Sequence, residues 1–202
     1  MAAGESVVAL HLFRKGLRLH DNPALMEGIS RRARRIYPVY VLEPGLDKRD
    51  IGINRYTHML ESLEDLDGGL RRLGSRLFVL QGDTMDQLRQ AVLRWKVNLL
   101  TFEEDSEPTS IDLESRISAL AKVDKPLYSA RIDVLQELNV EIASKCGHTL
   151  FSPTAYDAAS KRKKISYGSY GSFCKLFLAM GPVRSPLPAP SKADMPQVTY
   201  AT

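Results

Sequence analysis

The residues best suited to chemistry in this sequence are the charged and polar side chains that follow its first apolar run, Val7–Phe13. Arg14 and Arg18 leave the end of that run, and Asp21 and Asn22 come directly before a proline. Asp and Asn side chains accept hydrogen bonds from the first free N–H groups of a helix, so they predict a helix start. The two arginines and Asp21 can form an ion-pair network that fixes the loop, or they can contact a ligand; the network is favoured.

The common signatures of catalysis and cofactor binding are missing. No Gly-x-Gly-x-x-Gly follows the first apolar run and no Walker loop is present, so neither phosphate-binding fingerprint is available. The four histidines are scattered without the spacing of metal ligands. The two cysteines, Cys146 and Cys174, do not form a Cys-x-x-Cys pair, which argues against a zinc site or a disulfide scaffold and for a reducing compartment.

The positive charge of the chain is concentrated near its C-terminal end. Residues 161–202 contain seven Lys or Arg residues and a single acid, Asp194, whereas the rest of the chain contains 21 basic and 23 acidic residues. The nearly neutral remainder lacks the charge expected of a nucleic-acid-binding surface. The run Lys161–Lys164 is compatible with a nuclear-import signal or a DNA-facing patch, although a solvated linker is the commoner meaning of such a run.

Apolar runs typical of strands alternate with stretches of helical periodicity. The predicted strands cover 7–13, 35–42, 76–80, 97–102 and 139–143. The predicted helices cover 22–29, 54–73, 84–95 and 111–120. Strands that alternate with helices of this length predict a parallel sheet covered on both faces. The right-handed crossover rule favours an open, doubly wound, five-stranded α/β sheet of Rossmann-like type. We expect this domain to occupy residues 1–150.

Three stretches lie outside this alternation. Residues 121–138 exceed a normal helix-to-strand connection and could contain a short helix from 129 to 138. Residues 151–181 are expected to be a linker with one short helix. The Pro-rich residues 182–202 are predicted to be extended or disordered. The linker helix carries an apolar stripe that needs either docking or self-association, and we expect self-association. The stripe consists of Phe173, Leu176, Phe177 and Met180.

The segment 13–25, Phe-Arg-Lys-Gly-Leu-Arg-Leu-His-Asp-Asn-Pro-Ala-Leu, closely resembles the opening signature of the photolyase/cryptochrome family. The resemblance covers nearly the whole chain, and it is specific because many separate motifs follow in the correct order. It resembles animal-type cryptochromes and (6-4) photolyases in particular. The further matching segments are 51–56, 63–67, 73–82, 95–97, 101–108, 148–151 and 166–173.

The resemblance implies that two domains share the work. In the family, a C-terminal helical domain binds FAD and admits a flipped-out DNA lesion, and we expect that domain to be absent from this chain. The N-terminal α/β domain, where it has a ligand, holds an antenna chromophore of deazaflavin or folate type at the carboxyl ends of the strands. Many animal-type members leave this pocket empty, which is the favoured alternative. The matching positions are Tyr40, Val41, Leu42, Glu43, Arg55, Asp105 and Glu107.

The resemblance further implies a parent blue-light flavoprotein that either repairs pyrimidine photoproducts in DNA or signals as a photoreceptor or in the circadian clock. We expect this chain to be an inactive fragment of such a protein, located in the nucleus and cytoplasm, with DNA or clock and signalling proteins as partners and no membrane contact. The alternative is a light-independent protein-interaction domain in transcriptional repression of the clock. A nucleotide-binding domain of the wider doubly wound group is disfavoured by the missing glycine loop.

Three features depart from the family pattern. Leu12 stands where the family usually has tryptophan, and Thr109 stands where an aromatic residue usually follows the Glu-Pro pair. The stretch 124–136 has no counterpart in the family and is expected to be an insertion. The first two departures weaken packing near the antenna loop, and the third leaves the register of the fifth strand open.

Overall fold

The computed structural model describes residues 6–45, 48–121, 140–166 and 168–196. The strands are β1 Val8–Phe13, β2 Arg35–Leu42, β3 Phe78–Gln81, β4 Leu99–Glu104 and β5 Glu141–Cys146. The helices are α1 Pro23–Ser30, α2 Lys48–Ile51, α3 Ile53–Arg72, α4 Thr84–Trp95, α5 Pro108–Ala121, α6 Pro153–Lys163 and α7 Tyr170–Met180. The predicted insertion at 124–136 and the possible helix at 129–138 lie outside the described residues.

The five described strands form one sheet in the order β3-β2-β1-β4-β5, and every neighbouring pair is parallel. The prediction of an open, doubly wound α/β sheet is therefore confirmed. From β1 the chain first builds outward through β2 and β3, and it then returns to the other side of β1 to add β4 and β5. This reversal creates a crevice at the carboxyl ends of β1 and β4, where open α/β sheets usually bind their ligands.

Alternate residues of the central strands serve two separate cores. Val8, Leu10 and Leu12 of β1 pack in one core with Leu88 and Val92 of α4. The intervening positions of the sheet face the other side, where they meet α1 and α3. The members of that second core include Ala9, Phe13, Leu25, Ile36, Tyr40, Leu63, Leu66 and Leu70. The strands β1, β2 and β4 are buried on both faces, which explains why their sequences are continuous apolar runs.

Three of the predicted helix boundaries depend on single residues. Asn22 begins α1, because its side chain accepts a hydrogen bond from the Leu25 N–H. Gly74 follows α3 with a φ of 81°, a conformation that glycine adopts without steric cost. The helix α4 begins at Thr84, as predicted, because the Asp83 carboxylate caps it by accepting a hydrogen bond from Asp86 N–H.

Pro38 is accommodated although its strand is internal. The β2 strand lies between β1 and β3, so Pro38 is not on an edge strand. The pairing of β2 with β3 starts only at Val39, opposite Phe78. Pro38 therefore precedes the β2–β3 ladder and lies where β2 pairs with β1 alone, so its missing N–H is tolerated.

The segment after β5 contains two helices where the sequence predicted one. The missed helix, α6, begins with Ser152 as its N-cap and a proline in its first turn. The expectation that the α7 stripe stays uncovered is wrong for Leu176, which is fully buried. The stripe's aromatic residues contact each other and the chain before α6, because the Phe177 ring lies 5.6 Å from that of Phe151. Tyr170 and Leu178 remain exposed on α7.

The described part of the Pro-rich tail, residues 182–196, is held against the domain. Residues 181–191 have neither helix nor strand. Two hydrogen bonds join Leu187 to Asp21: the Asp21 N–H donates to the Leu187 carbonyl, and the Leu187 N–H donates to the Asp21 carboxylate. Met195 is buried within the core that includes α1 and α3. Within the described part of the chain, no helix is both long and apolar enough to cross a bilayer.

Mutations on the two faces of α3 are expected to change the free energy of unfolding by very different amounts. Leu63 is buried against the sheet, whereas its neighbour Glu64 is exposed. We expect Leu63→Ala to lower the free energy of unfolding by about 2–5 kcal/mol, as for other buried leucines. Glu64→Ala should change it by less than about 0.5 kcal/mol. Urea unfolding of both variants checks this, and equal losses would show that α3 is packed by another face.

Candidate functional site

A cavity of about 680 Å³ opens over the carboxyl ends of the central strands. Its floor is formed by the ends of β1 and β2, and it lies between α3 on one side and the first turns of α4 and α5 on the other. The apolar part of its lining is Leu12, Phe13, Leu17, Tyr40, Val41, Ile51, Met59 and Leu113. The polar part is Arg14, Lys15, Glu43, Arg55, His58, Ser62, Thr84, Glu107, Thr109 and Ser110.

Lys15 closes one side of the cavity by bridging two carboxylates. Its Nζ atom lies 2.7 Å from Asp105 and 2.6 Å from Glu107. Burial opposes the charged form of Lys15, but hydrogen bonds to the two acids outweigh it and raise the pKa of the amine. Burial likewise works against the Asp105 carboxylate, but Lys15, the Ser110 hydroxyl and two backbone N–H groups hold the pKa of Asp105 well below its ordinary value. Asp105 therefore stays ionised and fixed at neutral pH.

Arg14 joins the cavity wall to α5. Its guanidinium donates to the Glu114 carboxylate at 2.6 Å. The same Glu114 oxygen accepts a hydrogen bond from the Asp105 N–H at 2.9 Å. One carboxylate thus orients both the loop after β1 and the loop after β4, so the cavity has a rigid wall.

Arg55, His58 and Ser62 extend one side of α3 into the cavity. They are three and four residues apart, so they lie along one face of the helix. Arg55 and Glu43 are exposed, and among the described residues neither forms an ion pair. These two groups therefore remain available for a ligand, whereas the charges of Arg14 and Lys15 are already balanced.

The loop after β1 also carries charge into the interior on the α1 side of the sheet. The Arg18 guanidinium donates to the Glu103 carboxylate at 3.0 Å and to the carbonyls of Gly147 and Asp21 at 2.7 and 3.0 Å. Burial raises the pKa of Glu103, while the charge of Arg18 opposes that rise. His148 lies 3.8 Å from Glu103, and its burial lowers the pKa of the imidazole.

A buried polar chain lies beside this ion pair. His11 Nδ1 is 2.9 Å from the Thr101 hydroxyl, and His11 Nε2 is 3.2 Å from the Asn22 amide nitrogen. Because Asn22 Oδ1 caps α1 through Leu25 N–H, the Asn22 amide must point its NH₂ group at His11. Nε2 is therefore the acceptor, and Nδ1 carries the proton that it donates to Thr101. Burial lowers the pKa of His11 to about 3, so the ring is neutral.

The structure assigns different surroundings to the residues that the resemblance singled out. Of the antenna positions, Tyr40, Val41, Glu43, Arg55 and Glu107 line the cavity. Leu42 and Asp105 do not line it: Leu42 packs against the core, and the Asp105 carboxylate is engaged by Lys15 and Ser110.

The loop residues are held by partners outside the loop. Arg14 pairs with Glu114, Arg18 pairs with Glu103, and Asn22 caps α1. Asp21 accepts hydrogen bonds from Arg184, at 2.8 Å, and from the Leu187 N–H, at 3.0 Å. The network therefore connects the loop to three later parts of the chain.

Lys15, His11, Thr101 and Glu103 were missed by the sequence reasoning. A signal for three of them existed, because Thr101 and Glu103 alternate along β4 and face the same side of the sheet as His11 does on β1. Period-two alternation inside an apolar strand identifies such inward polar positions. The strand pairing needed to bring them together was not available from the sequence.

Comparison with known proteins agrees with this architecture. Residues 9–191 match the family model described as DNA photolyase. This chain belongs to the DNA photolyase family. Cryptochrome-1 of Erithacus rubecula is 41% identical over 146 residues, which cover 72% of this chain. The (6-4) DNA photolyase of Arabidopsis thaliana is 35% identical over 181 residues, covering 84% of this chain and 30% of that protein. The family resemblance noted in the sequence is thus confirmed.

Solved photolyase-family structures share the fold. A bacterial class III photolyase from Agrobacterium tumefaciens superposes with a TM-score of 0.71 at 19% identity, covering 94% of this chain and 35% of that one. An archaeal photolyase from Sulfolobus tokodaii superposes with a TM-score of 0.61 at 24% identity, covering 92% and 37%. This chain spans about a fifth of the length of the curated cryptochromes that it matches.

The assigned state of His11 gives this photolyase-family domain a pH signature. With a folded pKa of about 3, the His11 ring should keep a constant Cε1–H chemical shift from about pH 7.5 to about pH 5. In urea-unfolded protein the same ring should titrate near its ordinary value of 6.5. Between these two pKa values the His11 ring binds a proton in the unfolded chain but not in the folded chain. Its contribution therefore lowers the free energy of unfolding as the pH falls from 6.5 toward 3. A folded-state transition near neutrality would contradict the assignment.

The position of Glu103 requires a residue without a side chain at 147. A Cβ atom on Gly147 would overlap the Glu103 carboxylate, whereas one on Gly171 would meet nothing within 4 Å. We expect Gly147→Ala to lower the free energy of unfolding by about 1–3 kcal/mol through overpacking. Gly171→Ala, within α7, should be neutral or stabilising by up to about 1 kcal/mol. Urea unfolding checks both, and an unaffected Gly147→Ala protein would show that Glu103 is not held there.

Proposed function

We propose that this chain is the N-terminal α/β domain of a FAD-dependent cryptochrome or photolyase, and that its cavity binds a planar, light-harvesting chromophore. The observation that carries the proposal is the position of the cavity, at the carboxyl ends of β1 and β2, with Arg55 at its side, which has no ion-pair partner among the described residues. A chromophore held there could pass excitation energy to FAD in the helical part of the complete protein.

The cavity has the composition that a planar aromatic ligand needs. Its volume of about 680 Å³ lies within the range of roughly 300–1,000 Å³ that is typical of small-molecule sites. Tyr40, Val41 and Met59 offer apolar surface for ring faces. Arg55 offers a charged donor for a carbonyl, a phenolate or a phosphate of the ligand, and Glu43 offers an acceptor. Deazaflavin and flavin chromophores combine these features, and a folate is the alternative.

The relatives support a light-harvesting role. The structure from Sulfolobus tokodaii is described as containing two FAD molecules and as implying a novel light-harvesting cofactor. That protein shares the fold of this chain, and open α/β sheets usually bind their ligands at the carboxyl ends of the strands, where the cavity of this chain lies. The proposal transfers only the class of ligand, since the two sequences are 24% identical.

The curated cryptochromes and the (6-4) DNA photolyase support the functions that we propose for the complete protein. Cryptochromes and a (6-4) DNA photolyase are both among the similar proteins, so we propose either blue-light or circadian signalling or repair of pyrimidine photoproducts. DNA or clock proteins would then be its partners. We place the protein in the nucleus and cytoplasm, because the basic residues 161–164 are exposed at the end of α6, where an import receptor could bind them.

A second candidate function is a light-independent protein-interaction domain in clock repression. The observation that favours it is the exposed apolar surface of α7, where Tyr170 is 85% and Leu178 is 78% exposed. Side chains of this size are seldom exposed together unless another surface covers them. The helical domain of the complete protein would be the first candidate to cover them.

Chromophore binding is tested by titrating residues 1–202 with a hydroxylated deazaflavin and with flavin mononucleotide, following fluorescence anisotropy. We expect saturable binding with one site. Arg55→Ala should weaken it about tenfold, which corresponds to roughly 1.4 kcal/mol and to the loss of one charge-assisted hydrogen bond. Ser62→Trp should abolish binding, because the indole would fill the cavity from α3.

The matched control is Arg94→Ala, which removes an exposed cation from α4 outside the cavity and should leave binding unchanged. Equal losses of chromophore affinity in Arg55→Ala and Arg94→Ala would show that the effect comes from net charge and not from a contact with Arg55. Absence of saturable binding of either chromophore would overturn the antenna proposal and leave the protein-interaction function as the better explanation.

A further inference from the structure

Ser185 has the surroundings of an accessible hydroxyl that is not used by the fold. It lies in the stretch 181–191, which has neither helix nor strand, and it is exposed. Pro186 follows it directly. A proline favours an extended conformation in the residue before it, and an extended, exposed segment is what the active-site cleft of a protein kinase can accommodate.

The chain contains one other Ser-Pro pair, which provides an internal comparison. At Ser152-Pro153 the serine hydroxyl is the N-cap of α6, because it accepts a hydrogen bond from Ala155 N–H at 3.1 Å. It also lies 2.9 Å from the Thr154 hydroxyl. By contrast, the Ser185 side chain forms no hydrogen bond with any described residue, and only its carbonyl accepts a contact, from Arg184.

The neighbours of Ser185 hold the tail to the loop after β1. The Arg184 guanidinium lies 2.8 Å from the Asp21 carboxylate, and the same carboxylate accepts the Leu187 N–H at 3.0 Å. Asp21 N–H in turn donates to the Leu187 carbonyl at 2.9 Å. Hydrogen bonding to Leu187 lowers the pKa of Asp21, and Arg184 lowers it further, so the carboxylate is charged. We call the segment 181–196 the strap.

We propose that Ser185 is a phosphorylation site for a proline-directed protein kinase and that its phosphorylation loosens the strap. The Ser185 Oγ attacks the γ-phosphorus of a magnesium-bound nucleoside triphosphate, and the bond from that phosphorus to the bridging oxygen breaks. The nucleoside diphosphate leaves, and the hydroxyl proton passes to the kinase's base. The product is a phosphoserine ester in the sequence Arg-pSer-Pro.

The consequence for the strap is electrostatic. A phosphoserine carries a charge of roughly −1.5 to −2 at neutral pH. The phosphate adjoins Arg184, so it competes with Asp21 for the Arg184 guanidinium, which is bound to Asp21 in the unmodified protein. It also places like charge near Asp21, the residue to which the strap is hydrogen-bonded. Because Asp21 belongs to the loop that contains Arg14 and Lys15, release of the strap frees one end of the loop that lines the cavity.

Incubation of folded residues 1–202 with a proline-directed kinase and MgATP tests the site. Intact-protein mass spectrometry should show one added phosphoryl group, and fragmentation should place it on Ser185. Ser185→Ala should abolish the modification, Ser152→Ala should leave it unchanged, and Pro186→Ala should slow it strongly. No incorporation into the folded protein, or an equal rate in Ser185→Ala, would overturn the proposal.

Hydrogen exchange of the phosphorylated protein tests the effect on the strap. The amide protons of Asp21 and Leu187 should exchange about tenfold faster or more, while that of Leu10 in β1 should be unchanged. Arg184→Ala should accelerate the same two amides without phosphorylation, and phosphorylation should then add little. Unchanged exchange at Asp21 and Leu187 in the fully phosphorylated protein would refute the coupling. None of these outcomes depends on chromophore binding, so they are independent of the proposed antenna function.

Discussion

The Glu103 carboxylate is buried at the edge of the sheet where the parallel strands end, so it requires a partner of opposite charge. Arg18 supplies it from the loop after β1, at 3.0 Å. An unpaired charge in such a place is strongly destabilising, so the loop is committed to one conformation. The same Arg18 nitrogen, Nη2, also donates to the carbonyls of Asp21 and Gly147, which joins the loop to the segment after β5. Gly16 and Gly147 must lack side chains because the Glu103 carboxylate occupies that space.

This arrangement separates the charged groups of the molecule into two classes. Arg14, Lys15 and Arg18 each contact a carboxylate of β4, of the loop after it or of α5, and they serve to fix the edge of the sheet. Arg55 and Glu43, which come from α3 and the end of β2, have no such partner among the described residues. A cavity with a rigid charged wall and a few unpaired groups is suited to selective binding of a ligand, because little has to be reorganised when the ligand enters.

The same loop also explains how a tail without secondary structure is held to a domain of the photolyase family. Asp21 lies at the start of α1, with its carboxylate toward Arg184 and Leu187 and its carbonyl toward Arg18. The tail and the buried ion pair therefore meet at one residue. A change of charge near Asp21 therefore acts on a residue that contacts the strap directly and that belongs to the same loop as the cavity-lining Arg14 and Lys15.

The sequence by itself determined the sheet and the family. Buried strands show continuous apolar runs and α3 shows one apolar face, so local periodicity sufficed for the alternation of strands and helices along the chain and for the two-sided core. Ordered motifs from residue 13 onward sufficed for the family. Boundaries were less accurate, because α5 begins at Pro108, three residues before its predicted start at 111.

Only the tertiary structure decided which polar residues are free and which are engaged. Asp105 and Arg55 are equally polar in the sequence, yet Asp105 is held by Lys15 and Ser110, while Arg55 lines the cavity without an ion-pair partner in the part of the chain that the structure describes. His11 is neutral and buried because β4 brings Thr101 beside it, a pairing between residues 90 positions apart. Such contacts depend on strand order and register, which join distant parts of the chain, and no local pattern of residues encodes them.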